Sequence, residues 1–272
     1  MKLIEKTIQT KLTTDAKFYG YILDNSKEID INRKRPAILI VPGGGYGMTS
    51  DREAEPVAIR MLAAGFNAFV LRYSVAPTRY PAALLELSSA IALIRQNAEL
   101  WHINSDQIIL AGFSAGGHLA ANLATAWDSK LLQDYGYRSE DIKPNGLFLG
   151  YPVITSGKYA HVDSFKNLLG EQYQDTKLRE SLSLEHQVSS TTPPTFIWHT
   201  YTDDCVPVEN TLLFVQALRK ADVPVEMHIF PKGGHGLSLG TEETAINNGY
   251  GIQPEISVWP DLFAVWVKNN IK

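Results

Sequence analysis

The chain has 272 residues, 44% hydrophobic and 20% charged, long enough to bury roughly three quarters of its unfolded surface without disulfides or metal. Glycine (20) and proline (14) stand at ordinary levels, which excludes collagen-like, low-complexity and disordered chains. With 25 Lys and Arg against 29 Asp and Glu, the formal charge is −4 and no basic run exists to neutralise successive phosphates, so nucleic acid is not an expected partner.

A single cysteine, Cys205, rules out an internal disulfide and a thiolate-rich zinc site and fits a reducing compartment. The opening MKLIEKTIQTKLTT is interrupted by Glu5, Lys6 and Lys11 before it reaches the length of a signal peptide, and no later apolar run would span a bilayer. The expectation is a cytoplasmic protein with no membrane partner.

In chain order, Phe18 to Leu23 alternates like a half-buried strand, and Pro36 to Val41 is a continuous apolar run that ends in Pro42-Gly43-Gly44-Gly45, a buried strand entering a glycine-rich loop. Helical spacing follows from Ala54 to Ala64, a strand from Ala68 to Leu71, and a helix from Pro81 to about Ala98. Next come a strand at Gln107–Ala111, a helix at Ser114–Trp127 and a strand at Gly146–Leu149. A stretch from Tyr151 to Thr192, with helical pieces around Phe165 and Leu182, reads as an insertion. Strand Thr195–His199, helix Val208–Lys220, strand Pro224–Phe230 and helix Val258–Val267 close the chain. Strands alternating with helices predict an α/β protein whose mostly parallel sheet is covered on both faces. Without a linker or repeat, residues 1–272 read as one domain.

Gly112-Phe113-Ser114-Ala115-Gly116 lies between an apolar strand and an alanine-rich helix, the context of a strained strand-to-helix turn that lifts a serine to a helix N-terminus. A serine hydroxyl needs a histidine base, and the base needs a carboxylate to hold its tautomer. Of the seven histidines, His235 stands in a glycine-rich loop just after a strand, where active sites of such sheets assemble. His228 lies within that strand, and His118 lies within a helix and reads as a structural hydrogen-bonding residue. The acid is expected after strand 195–199, where Asp203 is preferred over its neighbour Asp204; the other would cap a helix or face solvent. Gly44 and Gly45, with the amide of Ala115, are the expected oxyanion hole. No Walker-type lysine follows those glycines, so they do not read as a phosphate loop.

On these residues, and on Glu53-Ala54-Glu55-Pro56 and Pro193-Pro194-Thr195-Phe196-Ile197-Trp198-His199, the chain resembles the α/β-hydrolase superfamily and its carbohydrate-esterase branch related to acetyl-xylan and feruloyl esterases. The resemblance implies a sheet of about eight strands, ester hydrolysis without cofactor or metal, Ser114 as nucleophile, Asp203 as acid and His235 as base. Pro42 departs from the histidine that lipase-like relatives carry before the glycines.

The expected substrate is a small-molecule ester with a short acyl chain, because no long amphipathic segment could serve as a lipase lid; O-acetyl groups on carbohydrates are included. Tyr46, Asn247 and Tyr250 are candidates for binding it, and Cys205 reads as a packing residue. A homodimer is compatible with the sequence. Two other readings stay open. One is a serine peptidase of the prolyl-oligopeptidase type, against which only about 35 residues precede the first core strand; the other is a non-catalytic ligand-binding relative, against which all three triad residues are present.

Overall fold

Successive residues of a strand point to opposite faces, and a strand apolar at every position therefore needs cover on both. Strand β3 (Arg35–Val41) shows this directly: Ala37, Leu39 and Val41 enter one hydrophobic core while Ile38 and Ile40 enter another. The computed structural model describes all 272 residues and places β3 near the middle of one eight-stranded sheet.

The strands are β1 (Lys2–Ile8), β2 (Ala16–Ile22), β3, β4 (Asn67–Arg72), β5 (Ile103–Phe113), β6 (Gly146–Gly150), β7 (Thr195–Thr200) and β8 (Val225–Phe230), in the spatial order β1-β2-β4-β3-β5-β6-β7-β8. β1 and β2 pair antiparallel, as do β2 and β4; every other pairing is parallel. The helices are α1 (Glu55–Ala63), α2 (Ala82–Gln96), α3 (Ser114–Ala126), the short α4 (Lys130–Asp134) and α5 (Ser139–Ile142), α6 (Val162–Leu169), α7 (Thr176–Ser181), α8 (Glu209–Lys220) and α9 (Trp259–Asn270). α2, α3 and α8 supply the core on one face; α1 and α9 supply the other. No helix is long and apolar enough to cross a membrane.

The parallel strands all end on one side, so the loops after β3, β5, β7 and β8 meet there. Crossover helices carry the chain back beneath the sheet, leaving that edge free for loops that need no regular hydrogen bonding. Residues 151–194 form an excursion between β6 and β7 that carries α6 and α7 and packs Phe165, Leu168 and Leu169 into the α2–α3 core. β1 was not expected. It lies at the sheet edge and buries only Ile4 and Ile8, so it lacks a period-two pattern.

Candidate active site

β5 runs without a break into α3 at Ser114, which adopts a left-handed backbone (φ 51°). Such a conformation costs a non-glycine residue energy and is held only by tight surroundings. The flanking glycines provide them. A Cβ on Gly116 would stand 2.1 Å from the carbonyl oxygen of Val41, and one on Gly112 would stand 2.4 Å from that of Gly116, so the turn closes onto the end of β3 only without side chains.

Ser114 Oγ lies 2.7 Å from His235 Nε2, and His235 Nδ1 lies 2.8 Å from Asp203 Oδ2. The row is unbroken and joins the ends of β5, β8 and β7. Asp204 is exposed and takes no part in it. Asp203 Oδ1 accepts the N–H groups of Cys205 (3.0 Å) and Val206 (2.9 Å), which fixes the carboxylate in its turn. Burial alone would push its carboxyl up, but donation from His199, His235 and the Val206 amide prevails and holds it well below the usual carboxylate range.

Across from Ser114, the loop after β3 presents Gly44 and Gly45. The Gly43 N–H is bound to Glu53 Oε2 (2.7 Å), whereas the amides of Gly44 and Gly45 have no protein acceptor. Ala115, second residue of α3, adds an N–H at a helix N-terminus. Beneath these loops Glu53 is buried and accepts a further hydrogen bond from the Tyr151 hydroxyl (2.7 Å), which in turn accepts the Ser238 N–H (3.0 Å). Burial and the neighbouring Glu53 carboxylate push the Tyr151 phenol far up, so it stays a donor. The Tyr151 ring packs edge-on against His235, with centroids 5.1 Å apart. One carboxylate thus ties the loop after β3, the turn after β6 and the loop after β8 together.

Ser114 and His235 open onto a depression of about 420 Å³ bordered also by Gly44, Gly45, Met48, Ser50, Arg52, Glu53, His161, Cys205 and Gly236. The sequence-based candidates for binding there are corrected by the structure. Tyr46 is buried with φ 57°, which turns its phenol inward to donate to His118 Nδ1 at 2.8 Å. His118 Nε2 donates in turn to the Leu182 carbonyl (2.9 Å), and burial lowers its pKa to about 4, so this histidine is a neutral strut between the glycine loop and the excursion. Asn247 is exposed and does not border the depression. Tyr250 does not border it either; its hydroxyl donates to the backbone carbonyl of His235 at 2.5 Å and props the histidine loop from outside.

Cys205 stands at the rim, exposed rather than packed, and partial desolvation of its sulfur, with the charges of Asp203 and Asp204, raises its thiol pKa. His161, from the excursion, was not singled out. Its Nδ1 meets Ser164 Oγ at 2.8 Å, its Nε2 has no protein partner, and burial followed by the charge of His235 lowers its pKa. No three His, Cys, Asp or Glu side chains converge as a metal site requires.

The sheet order and the serine at the tip of a strand-to-helix turn define an α/β-hydrolase. Within that class residues 23–218 match the BD-FAE family, and the chain belongs to it. It is 41% identical over 214 residues to endo-1,4-beta-xylanase B of Butyrivibrio fibrisolvens, covering 77% of this chain and 34% of that protein. The acetyl ester-xyloside bifunctional hydrolase of Caldicellulosiruptor lactoaceticus superposes with a TM-score of 0.81 at 39% identity, over 94% of this chain and 88% of that one. The carboxylesterase Cest-2923 of Lactobacillus plantarum WCFS1 does so with a TM-score of 0.87 at 30% identity, over 99% and 98%. The chain spans between about a third and about half of the length of curated relatives of this kind.

Proposed function

We propose that the protein is a serine carboxylesterase that hydrolyses short acyl esters through an acyl-enzyme on Ser114. The observation that carries this reading is the row Ser114 Oγ, His235 Nε2, His235 Nδ1 and Asp203 Oδ2, with contacts of 2.7 and 2.8 Å, at the floor of an open depression. In the reaction, Ser114 Oγ attacks the ester carbonyl carbon while His235 Nε2 takes its proton. The imidazolium is stabilised by Asp203, which keeps the Nδ1 proton in place. The amides of Gly44, Gly45 and Ala115 hold the negative oxygen of the tetrahedral intermediate. On collapse, Nε2 returns the proton to the departing alcohol oxygen; water then attacks the acyl carbon while giving a proton to Nε2, and Nε2 passes that proton to Ser114 Oγ as the bond to the acyl group breaks and the acid leaves.

An O-acetylated carbohydrate is the substrate class the reading favours. Only Met48 and Cys205 among the residues bordering the depression are hydrophobic, which is less than the extended apolar wall that a long acyl chain needs at roughly 0.8 kcal/mol per methylene. The acetyl ester in the name of the Caldicellulosiruptor lactoaceticus relative supports the same class. Glycoside cleavage, in the name of the xylanase, calls for two carboxyl groups flanking the scissile bond. Here one carboxylate borders the depression, Glu53, and both its oxygens are engaged, by Gly43 and Tyr151.

A panel of p-nitrophenyl esters from acetyl to octanoyl, run beside an acetylated xylo-oligosaccharide, a plain xylo-oligosaccharide and a peptide anilide, tests the reading. Turnover is expected to peak at acetyl to butyryl, to release acetate from the sugar, and to leave the glycosidic and amide bonds intact. Rates that keep rising to octanoyl, or faster amide than ester cleavage, would overturn it.

A further inference from the structure

His199, next to last in β7, is fully buried, makes no hydrogen bond to Ser114 and does not border the depression. Its Nε2 lies 2.9 Å from the Val206 carbonyl oxygen and 3.2 Å from Asp203 Oδ2, both of them acceptors, so Nε2 must carry a proton. Its Nδ1 lies 2.8 Å from Thr211 Oγ1 on α8. That hydroxyl is buried and has no other hydrogen-bond partner, so it donates to Nδ1 and locks the ring in the Nε2–H form. The carboxylate oxygen that faces His235 Nδ1 at 2.8 Å therefore also faces a second imidazole N–H from the protein interior.

Resting on the assignment of Asp203 and His235 above, we infer that His199 is a positioning residue that draws charge from Asp203 and thereby sets how strongly the carboxylate holds the imidazolium of His235. Two N–H groups compete for one carboxylate oxygen. An N–H directed at Oδ2 stabilises negative charge there, which weakens the pull of the carboxylate on the proton of a protonated His235. Loss of that N–H leaves the carboxylate where it is, because Oδ1 stays clamped by the Cys205 and Val206 amides, but makes it the stronger partner of an imidazolium. The base then takes up its proton at higher pH.

The other titratable or charged groups around His235 stay unchanged in such a variant. Arg52, Glu53, His161 and Cys205 border the same depression, the Tyr151 ring packs on the imidazole, and the Tyr250 hydroxyl meets the His235 carbonyl. The polar groups that meet the His199 ring are Thr211 Oγ1 from α8 and, from the turn after β7, the Val206 carbonyl and the Asp203 carboxylate.

The test is the pH profile of kcat/KM for p-nitrophenyl acetate. His199→Leu removes the N–H, and its acidic limb should rise by roughly half to one pH unit. His199→Gln, whose amide N–H reaches about as far as Nε2, should restore the limb to within ~0.2 unit of the parent. A limb unmoved in His199→Leu, or moved equally in both variants, would overturn the inference, since packing alone would be at work. If His199→Leu does not fold, His199→Met decides: it too lacks the N–H but its longer, flexible side chain fills more of the space of the ring, and a raised limb supports the inference while an unmoved limb overturns it. Asp203→Asn run alongside separates the two levels. Near-parental turnover in that variant would refute the triad assignment itself, whereas collapse there with an unmoved limb in His199→Leu would refute only the role of His199.

Discussion

A sequence pattern names the residue at a position but not the direction of its side chain, and Tyr46 shows the difference. Following three glycines at the mouth of a loop, it reads as a residue waiting for substrate. A backbone φ of 57° instead turns its phenol into the core, onto His118. Tyr46→Phe should therefore leave KM for small esters within about twofold while lowering stability by roughly 1–3 kcal/mol, because a buried imidazole nitrogen loses its donor. Paired ester kinetics and urea unfolding check it; a large rise in KM with unchanged stability would return Tyr46 to the substrate site. The adjacent aspartates are separated just as sharply. Asp203 is buried under four donors, whereas Asp204 is exposed. Steady-state turnover should fall by about 10⁴ in Asp203→Asn, as for a wrongly held tautomer, and by no more than a few-fold in Asp204→Asn. Reversed phenotypes would transfer the role.

At the scale of elements, the strand-to-helix turn at Ser114 depends on contact between backbones. Gly116→Ala would set a methyl group 2.1 Å from the Val41 carbonyl oxygen and 2.3 Å from that of Pro42, both at the end of a central strand. Neither can retreat without moving β3, so the cost should exceed about 3 kcal/mol, seen as a large drop in the unfolding midpoint or as loss of folded protein. A Gly116→Ala protein as stable as the parent would mean the turn is looser than described. The same elements show what a sequence reveals and what it conceals. β3, the Ile108–Ala111 part of β5 and the Phe196–Trp198 part of β7 are apolar runs because both faces are covered, and such runs are legible. β1 touches the core only through Ile4 and Ile8 and is not. β5 begins at Ile103, but its opening residues Asn104 to Gln107 are polar and conceal its start. Ser114, Asp203 and His235 could be picked out because each follows a recognisable strand. Glu53 and His199 could not, because they pair with a residue distant in sequence or with backbone groups that carry no letter of their own, and His161 could not, because only the folding of the excursion brings it to the depression.

For the whole molecule, the parallel core of the sheet brings four strand ends to one edge, and buried polar struts hold the loops there in register. His118 is the most consequential of these for acid tolerance. Its pKa is lowered by burial to about 4, so between that value and the ordinary 6.5 the unfolded chain binds a proton that the native protein does not. The stability it protects is complete above pH 6.5 and is lost progressively as the pH falls toward 4, by about 2 kcal/mol at pH 5. Unfolding free energies of the parent and of His118→Gln, measured at pH 7 and pH 5, should show that share of the acid loss missing in the variant; equal losses in both would place the titrating group elsewhere.

Hydrolysis at this site turns on Ser114 acting as the nucleophile. The most direct measurement is the mass of the protein after reaction with an organophosphorus reagent, with the modified residue located by peptide mapping. One adduct should form, on Ser114, in step with the loss of ester hydrolysis, and none should form on Ser114→Ala. An adduct on another residue, or ester hydrolysis that persists with Ser114 modified, would contradict that role.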